Sequence, residues 1–144
     1  MRDIGNSRKS ALVSGLLLLA GCGETLEARY STLAEARASG AVSRGWIPEW
    51  LPLGSTNIRE VHNLDTNNFM VRFEFPRGAP LELPRACVPV APDKPPKPPF
   101  RRAWWPSDVP PSGLATHRYA FFGCESTFVA YASASGEGLV WQAK

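Results

Sequence analysis

Histidine and cysteine are scarce in this chain, with two and three residues among 144. His62 and His117 stand at no short ligand spacing from each other or from any cysteine, so a structural or catalytic zinc site is not expected. No Gly-x-Ser-x-Gly elbow occurs, and no glycine-rich phosphate loop, which removes the common sequence signs of a serine hydrolase and of a nucleotide enzyme. No apolar run approaches the roughly 20 residues that a membrane-spanning helix needs. The net charge is only +3, and no basic face or stripe is visible, so nucleic acid is not an expected partner. No internal repeat is present. No metal and no cofactor is called for, and no catalytic residue is assigned.

What the chain does have is a distinctive start. Arg2, Arg8 and Lys9 precede an apolar stretch from Ala11 to Ala20, which ends in Leu19-Ala20-Gly21-Cys22. A basic start, a short apolar segment and a small-residue step form an export signal. The small residues before Cys22 resemble the lipobox of bacterial lipoproteins. That resemblance implies a signal peptide over 1–21, cleavage before Cys22, and acylation of the Cys22 sulfur, with membrane lipid as the first partner. It implies a lipid-anchored protein of the bacterial cell envelope. Gly23, where Asp tends to retain such proteins in the inner membrane, favours the outer membrane facing the periplasm. Loss of the signal leaves 13 basic and 12 acidic side chains in residues 22–144, a nearly neutral chain sized for a single domain.

If Cys22 carries lipid, Cys87 and Cys124 remain as a pair in an oxidising compartment, and a disulfide between them is expected. Closing such a loop contributes about 3–4.7 kcal/mol in the chain-entropy picture.

The spacing of Leu26, Tyr30, Leu33 and Arg37 predicts a helix over Glu24 to Ser39, stopped by Gly40. Pro48 and Pro52 exclude regular structure from the Trp46-Ile47-Pro48-Glu49-Trp50-Leu51-Pro52 run, apart from a short turn. Trp46 and Trp50 read either as core residues or as an exposed aromatic platform. Thr56 to His62 reads as a strand. Phe69, Val71, Phe73 and Phe75 alternate with Met70, Arg72 and Glu74, which predicts a strand with an aromatic buried face and with Arg72 and Glu74 in water. Tyr119 to Cys124, Thr127 to Ala132 and Leu139 to Gln142 read as further strands, the last two separated by a turn over Ser133 to Gly138.

Between them the composition shifts, with nine prolines among the 23 residues from Pro89 to Pro111. The segment 91–111 reads as an exposed, polyproline-like surface loop carrying Lys94, Lys97, Arg101 and Arg102. It is either a docking strip or a loop fastened by its neighbours, with Trp104 and Trp105 pinning its end to the domain. The expected fold class is therefore α+β: one N-terminal helix packed on a small antiparallel sheet, with a proline-rich surface loop, all in a single domain over 22–144.

The richest polar constellation is Asn57, His62, Asn63, Asp65, Thr66, Asn67 and Asn68. His62 and Asp65 together suggest a base and its orienting carboxylate, with Thr66 as a hydroxyl. The same residues also make a turn without chemistry, because Asx side chains cap their own backbone.

The stretch containing Gly45-Trp46-Ile47-Pro48, Leu51-Pro52, Thr56-Asn57-Ile58, His62-Asn63-Leu64-Asp65-Thr66-Asn67 and Phe73-Glu74-Phe75 resembles the YbbD head domain of small bacterial envelope proteins. The resemblance runs from Ala41 through Phe75. It implies a lipoprotein or membrane-tethered module, and no activity comes with it. The favoured reading is a non-enzymatic envelope lipoprotein that binds an envelope protein partner through Trp46, Trp50, Asn57, His62, Asp65, Thr66 and Asn67. The competing readings are a hydrolase using His62 and Asp65, and a protective, inhibitor-like or immunity-like lipoprotein.

Overall fold

The computed structural model describes residues 24–110 and 118–142. The signal segment 1–21, Cys22 and His117 lie outside them. Among the described residues, strands β1 (Thr25–Thr32), β2 (Thr56–Asn63), β3 (Phe69–Glu74), β4 (Cys87–Pro89), β5 (Ala120–Cys124), β6 (Thr127–Ala132) and β7 (Glu137–Gln142) make one sheet, with a single short helix α1 (Leu33–Ala38). Every strand pair is antiparallel, and the order across the sheet is β1-β2-β3-β7-β6-β5-β4. The expected α+β layout with a packed N-terminal helix is thus corrected to a seven-stranded antiparallel sheet with almost no helix.

The first half of the expected helix is β1. Leu26, Ala28 and Tyr30 also alternate with Glu27, Arg29 and Ser31, so this stretch carries period two as well as a helical spacing. Pairing decides between them: Leu26 lies opposite His62, Ala28 opposite Glu60 and Tyr30 opposite Ile58. Tertiary hydrogen bonding to β2 outweighs local propensity.

Of that stretch, only Leu33–Ala38 forms helix. Thr32 caps it, its hydroxyl oxygen accepting from the Glu35 N–H at 3.2 Å, while the Glu35 carboxylate accepts from the Ser31 N–H at 2.7 Å. Gly40, at φ 82°, ends it. The Gly40 N–H donates to the Arg37 carbonyl and the Ala41 N–H to the Ala36 carbonyl, the two bonds of a Schellman stop.

One face of the sheet is covered by α1 and the chain that follows it. Leu33, Ala36, Ala41, Ile47 and Leu51 pack with Ile58, Val71, Phe73, Val129 and Val140. Phe73 lies over Gly138, its neighbour on β7. A Cβ at Gly138 would stand 2.2 Å from the ring's Cζ, and Phe73 is fully buried. Gly138→Ala is expected to destabilise the domain by about 2–3 kcal/mol through overpacking. Urea denaturation checks this, and the double variant Gly138→Ala with Phe73→Leu should recover part of the loss.

The other face presents Val61, Met70, Phe121, Leu139 and Trp141, too much apolar surface to leave in water. The proline-rich segment covers it. Val90, Phe100, Trp104 and Trp105 pack there, and Val109 is buried among the core side chains. The Trp141 indole N–H donates to the Pro96 carbonyl at 3.0 Å. Arg102 and the Trp104 indole both donate to the Glu27 carboxylate, at 2.7 and 2.6 Å. These bonds hold Glu27 below the usual carboxylate range even though partial burial pushes it the other way.

This segment is therefore a strap forming a second layer: of the two readings it is the loop fastened by its neighbours, less exposed than expected although Lys97 and Arg101 stay in water. The expected exposure of Arg72 is corrected. Instead of facing water, it lies half-buried under the strap, donating to the Trp104 carbonyl and to Glu137. The Tyr119 hydroxyl also donates to Glu137, and burial followed by that bond raises the Tyr119 phenol. Cys87 and Cys124 lie opposite each other on β4 and β5 and are joined by a disulfide, which fastens the short edge strand to the sheet.

Candidate functional site

The polar centre of the domain is built on β2. Side chains alternate along a strand, so Ile58, Glu60 and His62 share the face covered by α1. Ile58 belongs to the core there. Glu60 and His62 occupy equally interior places, at 0% and 3% exposure. Two residues apart on one face, they meet: His62 Nδ1 lies 2.8 Å from Glu60 Oε2.

The cover over this pair comes from the turn after α1. Gly45, at φ 78°, lets the chain double back. Gly45 N–H donates to the Val42 carbonyl and Trp46 N–H to the Ala41 carbonyl. Ala41 and Ile47 are buried on either side, which turns Trp46 onto the sheet. Its ring stacks on the His62 imidazole with centroids 3.7 Å apart and planes 15° from parallel. The Arg44 guanidinium closes the outer side of Trp46, 4.3 Å from the ring centre, and donates to the Ser39 carbonyl. The result is a three-tiered stack of Arg44, Trp46 and His62, with Glu60 beside the lowest tier.

Burial raises the Glu60 carboxyl above the ordinary glutamate value, against the opposing pull of the hydrogen bond and charge of His62. An ionised carboxylate only accepts hydrogen bonds, so Nδ1 carries the proton when Glu60 is charged. Nε2 of His62 and Oε1 of Glu60 have no hydrogen-bond partner among the described residues. A carboxylate-oriented imidazole with an unengaged Nε2 is the arrangement of a general base. Here that nitrogen is sealed beneath Trp46, and no hydroxyl or thiol among the described residues bonds to it. The geometry supports a polar bracket that ties the Trp46 turn to the sheet.

The sequence-derived candidates separate accordingly. His62 and Trp46 come together. Trp50 packs edge-on against Phe73 at 6.4 Å, on the same covered face. Asn57 lies at the other end of β2, at φ 48°, accepting from Arg29 and donating to Glu74.

Asp65, Thr66 and Asn67 are exposed in the turn between β2 and β3. That turn is organised by the Asn63 side chain, which accepts from the Asp65 N–H, the Thr66 N–H and the Thr66 hydroxyl. Asp65 lies beside Glu24, whose carboxyl it holds above the usual range by a side-chain hydrogen bond and by repulsion of like charges. The His62–Asp65 pair expected of a hydrolase is not formed, because Asp65 follows the strand's end while the carboxylate sharing His62's face is Glu60.

Sequence reasoning passed over Glu60 and Arg44. The signal for Glu60 was present in Ile58-x-Glu60-x-His62, an acid and a histidine in step with a core isoleucine. Arg44 had no such signal, since its place depends on how the turn folds.

Among the described residues, no group of three or more His, Cys, Asp or Glu side chains is placed to hold a metal ion. No described helix is long and apolar enough to cross a membrane. No curated protein and no solved structure matches the chain. Residues 24–74, which carry β1, α1, the Trp46 turn, β2 and β3, and with them the whole Arg44–Trp46–His62–Glu60 stack, match the YbbD head domain.

Proposed function

We propose that this chain is a bacterial cell-envelope lipoprotein, tethered by acyl groups on Cys22, whose β-sheet domain binds an envelope partner without catalysing a reaction. The observation that carries this reading is the basic start and apolar run leading to Leu19-Ala20-Gly21-Cys22. The Cys87–Cys124 disulfide supports an oxidising compartment. Gly23 in place of Asp favours the outer membrane, facing the periplasm. Burial of His62 beneath Trp46 weighs against a hydrolase using His62 and Asp65, since a base needs hydrogen-bond reach to its substrate.

The tether also orients the domain. Cys22 stands three residues before Thr25, a reach of at most about 11 Å in extended chain. Thr25 pairs with Asn63 and Phe69 with Gln142, so the Asn63–Asn68 turn lies at the anchored end. The opposite end, with Leu53, Glu74, Arg77 and Ser135 exposed, then points away from the membrane.

Growth with labelled palmitate tests the reading. The protein is expected to incorporate label, and Cys22→Ser to abolish it. An unlabelled product, or one that retains Met1, would overturn the proposal.

A further inference from the structure

A cleft of about 580 Å3 opens within the strap, on the face of the sheet opposite His62. This volume lies in the range of small-ligand sites, roughly 300–1,000 Å3. Phe100, Trp105 and several prolines form its apolar walls. These walls are rigid. Proline fixes its own backbone, and Trp105 is held from two sides: its ring packs edge-on against Trp141 at 5.6 Å, and its indole N–H donates to the Val109 carbonyl at 2.9 Å.

Charge at the cleft has one sign. Lys97, Arg101 and Arg102 line it and no acidic residue does. Arg102 is neutralised by Glu27. Nearby Asp93 and Asp108 are paired with Lys94 and Arg118. Lys97 and Arg101 are exposed and have no ion-pair partner among the described residues. Two unengaged cations beside a preorganised apolar wall suit a ligand with an anionic group on an apolar body.

We propose that this cleft binds an anionic amphiphile, with a phosphate ester held by Lys97 and Arg101 and its apolar portion against Phe100, Trp105 and the proline walls. A membrane phospholipid and a soluble alkyl phosphate share this chemistry. The site does not depend on Cys22 acylation.

The full chain, kept in a neutral detergent, is titrated by calorimetry with short-chain phosphatidylglycerol, short-chain phosphatidylcholine, hexyl phosphate and inorganic phosphate. The indole N–H signal of Trp105, assigned with Trp105→Phe, is followed in parallel. Saturable binding of the anionic lipid is expected, with the Trp105 signal shifting and phosphatidylcholine silent. The double variant Lys97→Glu, Arg101→Glu, with its fold verified by near-ultraviolet circular dichroism, should bind about a hundredfold more weakly, about tenfold per cation.

Binding of hexyl phosphate with the same dependence on Lys97 and Arg101 would sustain the site and assign it to a soluble ester, whereas binding of the lipid alone would assign it to the membrane. Equal affinity for phosphatidylcholine, equal affinity for bare inorganic phosphate, unchanged binding by the double variant, or no binding of any probe would each overturn the proposal.

Discussion

Replacing Trp141 by alanine is expected to lower stability by about 3–5 kcal/mol, the range for deleting a buried aromatic side chain, and to free the strap from the sheet. Trp141 is fully buried and lies where both layers of that face depend on it. Its ring touches Trp105 and Phe128, with centroids at 5.6 and 5.9 Å, and its indole N–H is bonded to the Pro96 carbonyl. Truncation removes the floor under Trp105 and one of the bonds that hold a segment unable to pair as a strand. Two readouts separate these effects. Urea denaturation gives the stability change. Limited trypsin digestion reads the strap, where cleavage at Arg101 and Arg102 should accelerate more than cleavage elsewhere. Trp141→Phe keeps most of the packing and loses the hydrogen bond, so it should cost about 1 kcal/mol and leave the strap protected.

His62→Ala is expected to cost about 3–5 kcal/mol at neutral pH, because it leaves the buried Glu60 carboxylate without its partner and takes away the surface on which Trp46 stacks. The loss should depend on pH in a fixed direction. Burial raises Glu60 above its ordinary value, so the native state holds the proton more tightly than the unfolded chain does. The stability linked to that proton is fully present below the ordinary glutamate value and is lost as pH rises through the raised one. In His62→Ala the opposing pull of the imidazole is gone, which raises Glu60 further and widens the window. The variant should therefore be least impaired in mild acid, and its deficit should grow as pH rises through the raised Glu60 value. Denaturation midpoints measured across that range check the slope. In Glu60→Gln the pH-dependent part should vanish, since the amide still accepts from His62 and carries no charge.

The aromatic alternation of Phe69, Val71 and Phe73 identified β3, and aromatic, β-favouring runs identified β5 and β6. The 25–32 stretch satisfied two periods at once, and only the presence of β2 beside it selects the strand. That the strap is fastened, with Trp104 and Trp105 pinning it, was legible; how far it is covered was not, because proline content excludes a ladder but says nothing about burial. What decides its position is the apolar face of β3 and β7, where Met70, Leu139 and Trp141 need cover that α1, on the opposite side, does not supply. At the site, His62 was singled out but paired with Asp65 by nearness along the chain. On a strand the relevant neighbour is two residues away, and Glu60 occupies that place.

The most direct test of this account is the imidazole of His62, observed by nitrogen-15 correlation spectroscopy in three proteins: the parent chain, Glu60→Gln and Asp65→Asn. With Nδ1 bonded to Glu60 and the ring beneath Trp46, the His62 ring signals should move clearly in Glu60→Gln and stay in place in Asp65→Asn. Signals that respond to Asp65→Asn and ignore Glu60→Gln would contradict it, and would return His62 to an exposed pair with Asp65.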